Sequence, residues 1–81
     1  MTISIPGYST LTGAPVAIIK LMQEARFFGS EESGDDYINS VKEAAKRCYG
    51  ISLRVKGKTY EERAESLLRQ MAQNQMIKLK D

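Results

Sequence analysis

Between residues 51 and 80 the hydrophobic period changes from two to roughly 3.6 and back to two, and this pattern constrains the fold more than any other feature. Ile51, Leu53 and Val55 alternate with Ser52, Arg54 and Lys56, as on a half-buried strand. Lys56, Gly57 and Lys58 then turn the chain. The run Thr59-Tyr60-Glu61-Glu62 fits a capping box, in which the Thr59 hydroxyl accepts from the Glu62 amide and the Glu62 carboxylate reaches back. A helix is therefore expected to begin at Tyr60, with Tyr60, Ala64, Leu67, Leu68 and Met71 on its apolar side. Asn74 and Gln75 mark its end. Met76 to Lys80 alternates again, with Ile77 and Leu79 on one face and Lys78 and Lys80 on the other, as on an edge strand guarded by charge. An alternative continues the helix through Leu79.

Upstream, Thr2 to Ile5 alternates and predicts a short strand, which Pro6 and Gly7 turn off. The stretch 7–13 reads as a loop of small residues. Pro15 suits the first turn of a helix, and Ile18, Leu21, Met22, Ala25 and Phe28 form an apolar stripe over 15–28, ahead of Gly29. The acidic stretch 30–34 connects to a second helix over 36–49, with Asp35 or Asp36 as its cap. Ile38, Val41, Ala45 and Cys48 make the buried face of that helix, flanked by Tyr37, Ala44 and Tyr49, and Gly50 stops it. The expected architecture is a single α+β domain over 1–81, with three amphipathic helices on a short two- or three-stranded sheet in the order β-α-α-β-α-β. Strands joined through the third helix would run parallel with a right-handed crossover.

Composition narrows the function classes. With 81 residues the core is small, and a self-associating surface would add to its stability. There is no histidine, which removes histidine triads, histidine zinc sites and histidine proton relays. A single cysteine allows no internal disulfide and fits a reduced, cytoplasmic setting. The longest aliphatic run, 16–19, is far too short for a membrane span, and the N-terminus lacks the pattern of a signal peptide. We expect no catalytic residue, no metal and no cofactor.

Charge is unevenly spread. Residues 1–40 carry two basic and five acidic side chains, whereas 41–81 carry ten and five. Either the halves attract each other, across the fold or between copies, or the basic half meets a polyanion. The strongest ligand-facing feature is the turn where Arg54, Lys56, Gly57, Lys58 and Thr59 meet a helix N-terminus, whose amides with the lysines suit one phosphate. Gly57-Lys58-Thr59 resembles the end of a nucleotide-binding loop, but the position five residues before Gly57 is Ser52 rather than glycine, so the loop is too short to wrap a nucleotide. Glu61 and Glu62 also oppose an anion there. The alternative for this turn is a charged bend with a good helix cap.

The basic set Lys42, Lys46, Arg47, Arg54, Lys56, Lys58, Lys78 and Lys80 would suit a nucleic-acid backbone if it formed one stripe, with Tyr49 or Tyr60 stacking on bases. Both tyrosines lie on apolar stripes, which favours packing. Cys48 is expected to be buried and inert. The carboxylate pairs Glu31-Glu32, Asp35-Asp36 and Glu61-Glu62 diverge on a helix and form no pocket unaided. Met71, Met76, Phe27 and Ile19 sit at stripe margins, where they either serve a partner or complete the core. The leading expectation is thus a non-catalytic binding or accessory protein, acting on a protein partner or as a homo-oligomer. Nucleic-acid binding through the basic half is the alternative.

Overall fold

The computed structural model describes residues 1–7, 10–25 and 34–80. Two strands, β1 (Thr2–Ser4) and β2 (Thr10–Thr12), precede the helices α1 (Pro15–Glu24), α2 (Gly34–Ala44) and α3 (Tyr60–Gln73), and β3 (Lys78–Leu79) follows them. The α+β class expected from the hydrophobic periods is what the chain adopts. The order of elements differs, being β-β-α-α-α-β.

The difference has two sources. Residues within the expected loop 7–13 form β2, which pairs antiparallel with β1 in the register Thr2 with Thr12, Ile3 with Leu11 and Ser4 with Thr10. Gly13 N–H donates to the Met1 carbonyl at 3.0 Å and extends this pairing, while Gly7 turns the chain with φ of 77°. Conversely, residues 51–55 form no strand. Their burial alternates as expected, Leu53 buried and Ser52 and Arg54 exposed, but among the described residues no neighbouring strand completes a ladder. Both edges of β1 are already taken, by β2 on one side and β3 on the other. The expected parallel crossover is likewise absent, since β3 runs antiparallel to β1 and pairs Leu79 with Ile3.

Among the described residues, α1 packs on β2 and α3 on β3, and α1 and α3 pack on each other, whereas α2 rests on this helix pair and not on the sheet. Ile3, Ile18, Ile19, Met22, Tyr37, Val41, Leu67, Leu68, Met71 and Ile77 form the fully buried centre, joined by Leu53 from the extended segment. In α1 the buried side is Ile18, Ile19 and Met22. Leu21, expected inside, is 40% exposed and Ala25 is exposed, because the apolar residues of α1 spread over more of the helix than one contact face covers. Ile19, Met71 and Met76, expected at the margins, complete the core. Phe27, Phe28, Gly29 and the acidic stretch before Gly34 lie outside the described residues.

The helix ends follow local chemistry. Pro15 opens α1. Helix α2 begins at Gly34, so Asp35 and Asp36 sit inside its first turn, where their charge favours the positive end, rather than at the cap. It runs on into a π-helical turn, Ala45–Tyr49, closed by Gly50 in the left-handed region with φ of 67°. A π turn holds more residues than an α turn and shifts the facing of everything after it. Ala45 stays buried, but Cys48 is exposed and Tyr49 is 58% exposed, against the expectation that both pack inward. Helix α3 ends as expected at Asn74: Gln75 takes φ of 62°, its N–H donates to the Ala72 carbonyl, and Met76 N–H donates to the Met71 carbonyl. These are the two bonds of a Schellman end, with Met71 and Met76 buried together beneath it.

Candidate functional site

The turn before α3 is built as its residue types require. Thr59 Oγ1 accepts from Glu62 N–H at 3.1 Å, and Glu62 Oε2 accepts from Thr59 N–H at 3.2 Å and from Lys58 N–H at 3.1 Å. The Glu62 carboxylate thus occupies two amides of this turn, those of Lys58 and Thr59. Lys56 N–H donates to Ser66 Oγ at 3.0 Å, and Arg63 Nη1 donates to the Lys58 carbonyl. Gly57, with φ of 145°, lies so close to α3 that a Cβ there would sit 2.6 Å from Glu62 Cβ and 2.9 Å from Arg63 N. Arg54, Lys56, Lys58 and Thr59 are all exposed at this turn.

Arg63, which the sequence did not single out, ties the turn to the start of α2. Its Nε donates to Asp35 Oδ1 at 3.0 Å and its Nη2 to Asp35 Oδ2 at 3.2 Å. Beside this pair the Tyr60 ring lies against Gly34, where a Cβ would strike it. Burial and, second, the Asp35 charge hold the Tyr60 phenol above its ordinary pKa, so it stays a neutral hydroxyl at physiological pH. Tyr60 is half-buried here and packs against the core, as its stripe position implied.

The preceding segment is different. Ile51 N–H donates to the Ala45 carbonyl at 3.1 Å, and Lys56 N–H is held by Ser66, but among the described residues no hydrogen bond engages the backbone of Ser52, Leu53, Arg54 or Val55. The segment runs beside α2. One hollow, of about 370 Å³, is lined by Ile38, Asn39, Lys42, Val55, Asp35 and Arg63; a second, of about 260 Å³, by Lys42, Glu43, Lys46, Ser52 and Leu53. Lys42 lines both. Lys42, Lys46, Arg54 and Lys56 form no ion pair among the described residues. The periodicity of the chain marked Leu53 as buried and Arg54 as exposed; the proximity of Lys42 and Lys46 to this segment had no local signal beyond their one-turn spacing.

Among the described residues no three Cys, Asp or Glu side chains gather as metal ligands, and no helix is long and apolar enough to cross a membrane. Compared with known protein families, with curated proteins and with solved structures, the chain matches none.

Proposed function

We propose that this chain is a non-catalytic binding protein that holds a protein partner along the face where residues 51–56 run beside α2. The observation that carries the reading is the backbone of Ser52 to Val55, unpaired among the described residues and anchored at both ends by hydrogen bonds and by the buried Leu53 in the middle. An ordered, strand-like edge of this kind is a template for main-chain pairing with another chain. We assign the Gly57-Lys58-Thr59 turn a structural role, because Glu62 already accepts from its Lys58 and Thr59 amides and adds a negative charge there. Arg54 and Lys56 belong to the binding face. A cytoplasmic setting is part of the same proposal, in keeping with a single thiol at Cys48.

Self-association is a separate contact in this proposal, made through the outer edge of β3 and the exposed Leu21 rather than through residues 51–56. A second reading, nucleic-acid binding, is favoured by the cations Lys42, Lys46, Arg54 and Lys56, which no carboxylate among the described residues neutralises.

Amide NMR of isotope-labelled protein tests the choice, with extended peptides and single- and double-stranded oligonucleotides titrated separately at two salt concentrations. Peptide-induced shifts confined to 51–56 and the facing side of α2 support the proposal. Shifts produced by oligonucleotides alone, with affinity falling steeply with salt, overturn it in favour of the second reading. Sedimentation equilibrium at micromolar concentration reads self-association directly, as a mass above that of one chain.

A further inference from the structure

We infer that the partner is an acidic, extended peptide, which adds as a strand in the groove between residues 51–56 and α2. This rests on the protein-binding reading above and names the class of partner and the edge it uses. In an extended chain successive amides point to opposite edges. Ile51 N–H points to the end of α2, where it meets the Ala45 carbonyl, and Lys56 N–H points the other way, to Ser66 on α3. By the same alternation Leu53 and Val55 direct their N–H and C=O groups to the α2 side. That is the side with the two hollows, so the unpaired donors and acceptors face open space walled by a helix. The arrangement is the one used when a peptide is bound between a strand edge and a helix.

An added strand also keeps the two faces of its neighbour. Peptide side chains on the Leu53 face enter the hollow whose apolar part is Ile38 and Val55 and whose rim is Asp35, Asn39, Lys42 and Arg63. Those on the opposite face stand beside Arg54 and Lys56, with Lys42 and Lys46 along the groove wall; Glu43 lies between these two lysines, and the four cations outnumber its one carboxylate. Opposite charges across a strand pair attract, so alternating apolar and acidic residues complement this edge. A second copy is a poorer occupant, since pairing two such segments gathers Arg54 and Lys56 of both chains on one face.

The test uses the full chain and an acetylated, amidated hexapeptide of alternating valine and glutamate. Binding is followed by amide NMR and by hydrogen exchange. The expected result is binding with new protection at the Leu53 and Val55 amides. Methylating the peptide's nitrogens at alternate positions, which removes the main-chain donors and keeps every charge, is expected to weaken binding about tenfold, two hydrogen bonds' worth. A valine and lysine hexapeptide is expected to bind more weakly than the acidic one, and Arg54→Gln with Lys56→Gln is expected to weaken the acidic peptide while leaving the circular dichroism unchanged. Equal binding of the methylated peptide overturns strand addition. If a neutral valine and threonine hexapeptide binds at these amides as well as the acidic one, the acidic class is overturned and the protein-binding reading stands. If no peptide binds and an oligonucleotide does, both fall.

Discussion

Arg63 and Asp35 join the first turns of α3 and α2 through a two-pronged pair, Nε to Oδ1 at 3.0 Å and Nη2 to Oδ2 at 3.2 Å. It is one direct link between the acidic N-terminal half and the basic C-terminal half. The Asp35 side chain is 55% exposed, so water and salt screen the attraction. A double-mutant cycle with Arg63→Ala and Asp35→Ala is expected to give a coupling of about 0.2–1 kcal/mol, smaller in high salt. A coupling well above that range, unchanged by salt, overturns the view that the pair is screened.

The Thr59 hydroxyl is expected to contribute about 1 kcal/mol through its bond to the Glu62 amide, so Thr59→Ala lowers the denaturant midpoint by that equivalent. Unfolding in urea measures it. A difference of only a few tenths of a kcal/mol means that the Glu62 carboxylate holds the turn without the hydroxyl.

Leu67 and Leu68 are both fully buried in α3. Truncating either to alanine is expected to cost about 2–5 kcal/mol, enough to unfold much of so small a domain. Thermal melts followed by circular dichroism check this, and parent-like melts for both variants contradict the packing.

Gly57→Ala is expected to be destabilising, because the added methyl meets the α3 backbone at 2.9 Å from Arg63 N while φ sits at 145°. The cost exceeds the roughly 0.5–1 kcal/mol that glycine replacement gains at unstrained sites. Equilibrium unfolding gives its sign. A neutral or stabilising outcome shows that the turn relaxes away from α3.

Gln75 holds the left-handed position of the α3 end with φ of 62°, where a side chain is strained. Gln75→Gly is expected to stabilise the protein by up to about 1 kcal/mol, since relief of that strain outweighs the added freedom of the unfolded chain. A lower melting temperature for this variant is the contrary result.

Features set by neighbours in sequence were legible before the fold was known. The Thr59 and Glu62 cap, the buried side of α3 at Ala64, Leu67, Leu68 and Met71, the stop at Gly50 and the edge character of Lys78 and Lys80 all follow from residues a turn or less apart. Their chemistry is decided locally, by side-chain spacing and backbone geometry.

What the tertiary structure alone decided is which groups meet. Period-two burial told that Leu53 points inward, yet it carries no information about hydrogen-bond partners, and the β1 edges that residues 51–55 needed were taken by Thr10–Thr12 and Lys78–Leu79. Helix α1 has apolar residues on more than one face, so its packing against α3, α2 and β2 buried Ile19 and left Leu21 exposed. The π turn reversed the placement of Cys48 and Tyr49, because one widened turn rotates every residue beyond it. The candidate binding edge exists for the same reason: local sequence made residues 51–56 strand-like, and the completed sheet left Ser52 to Val55 without a backbone partner among the described residues.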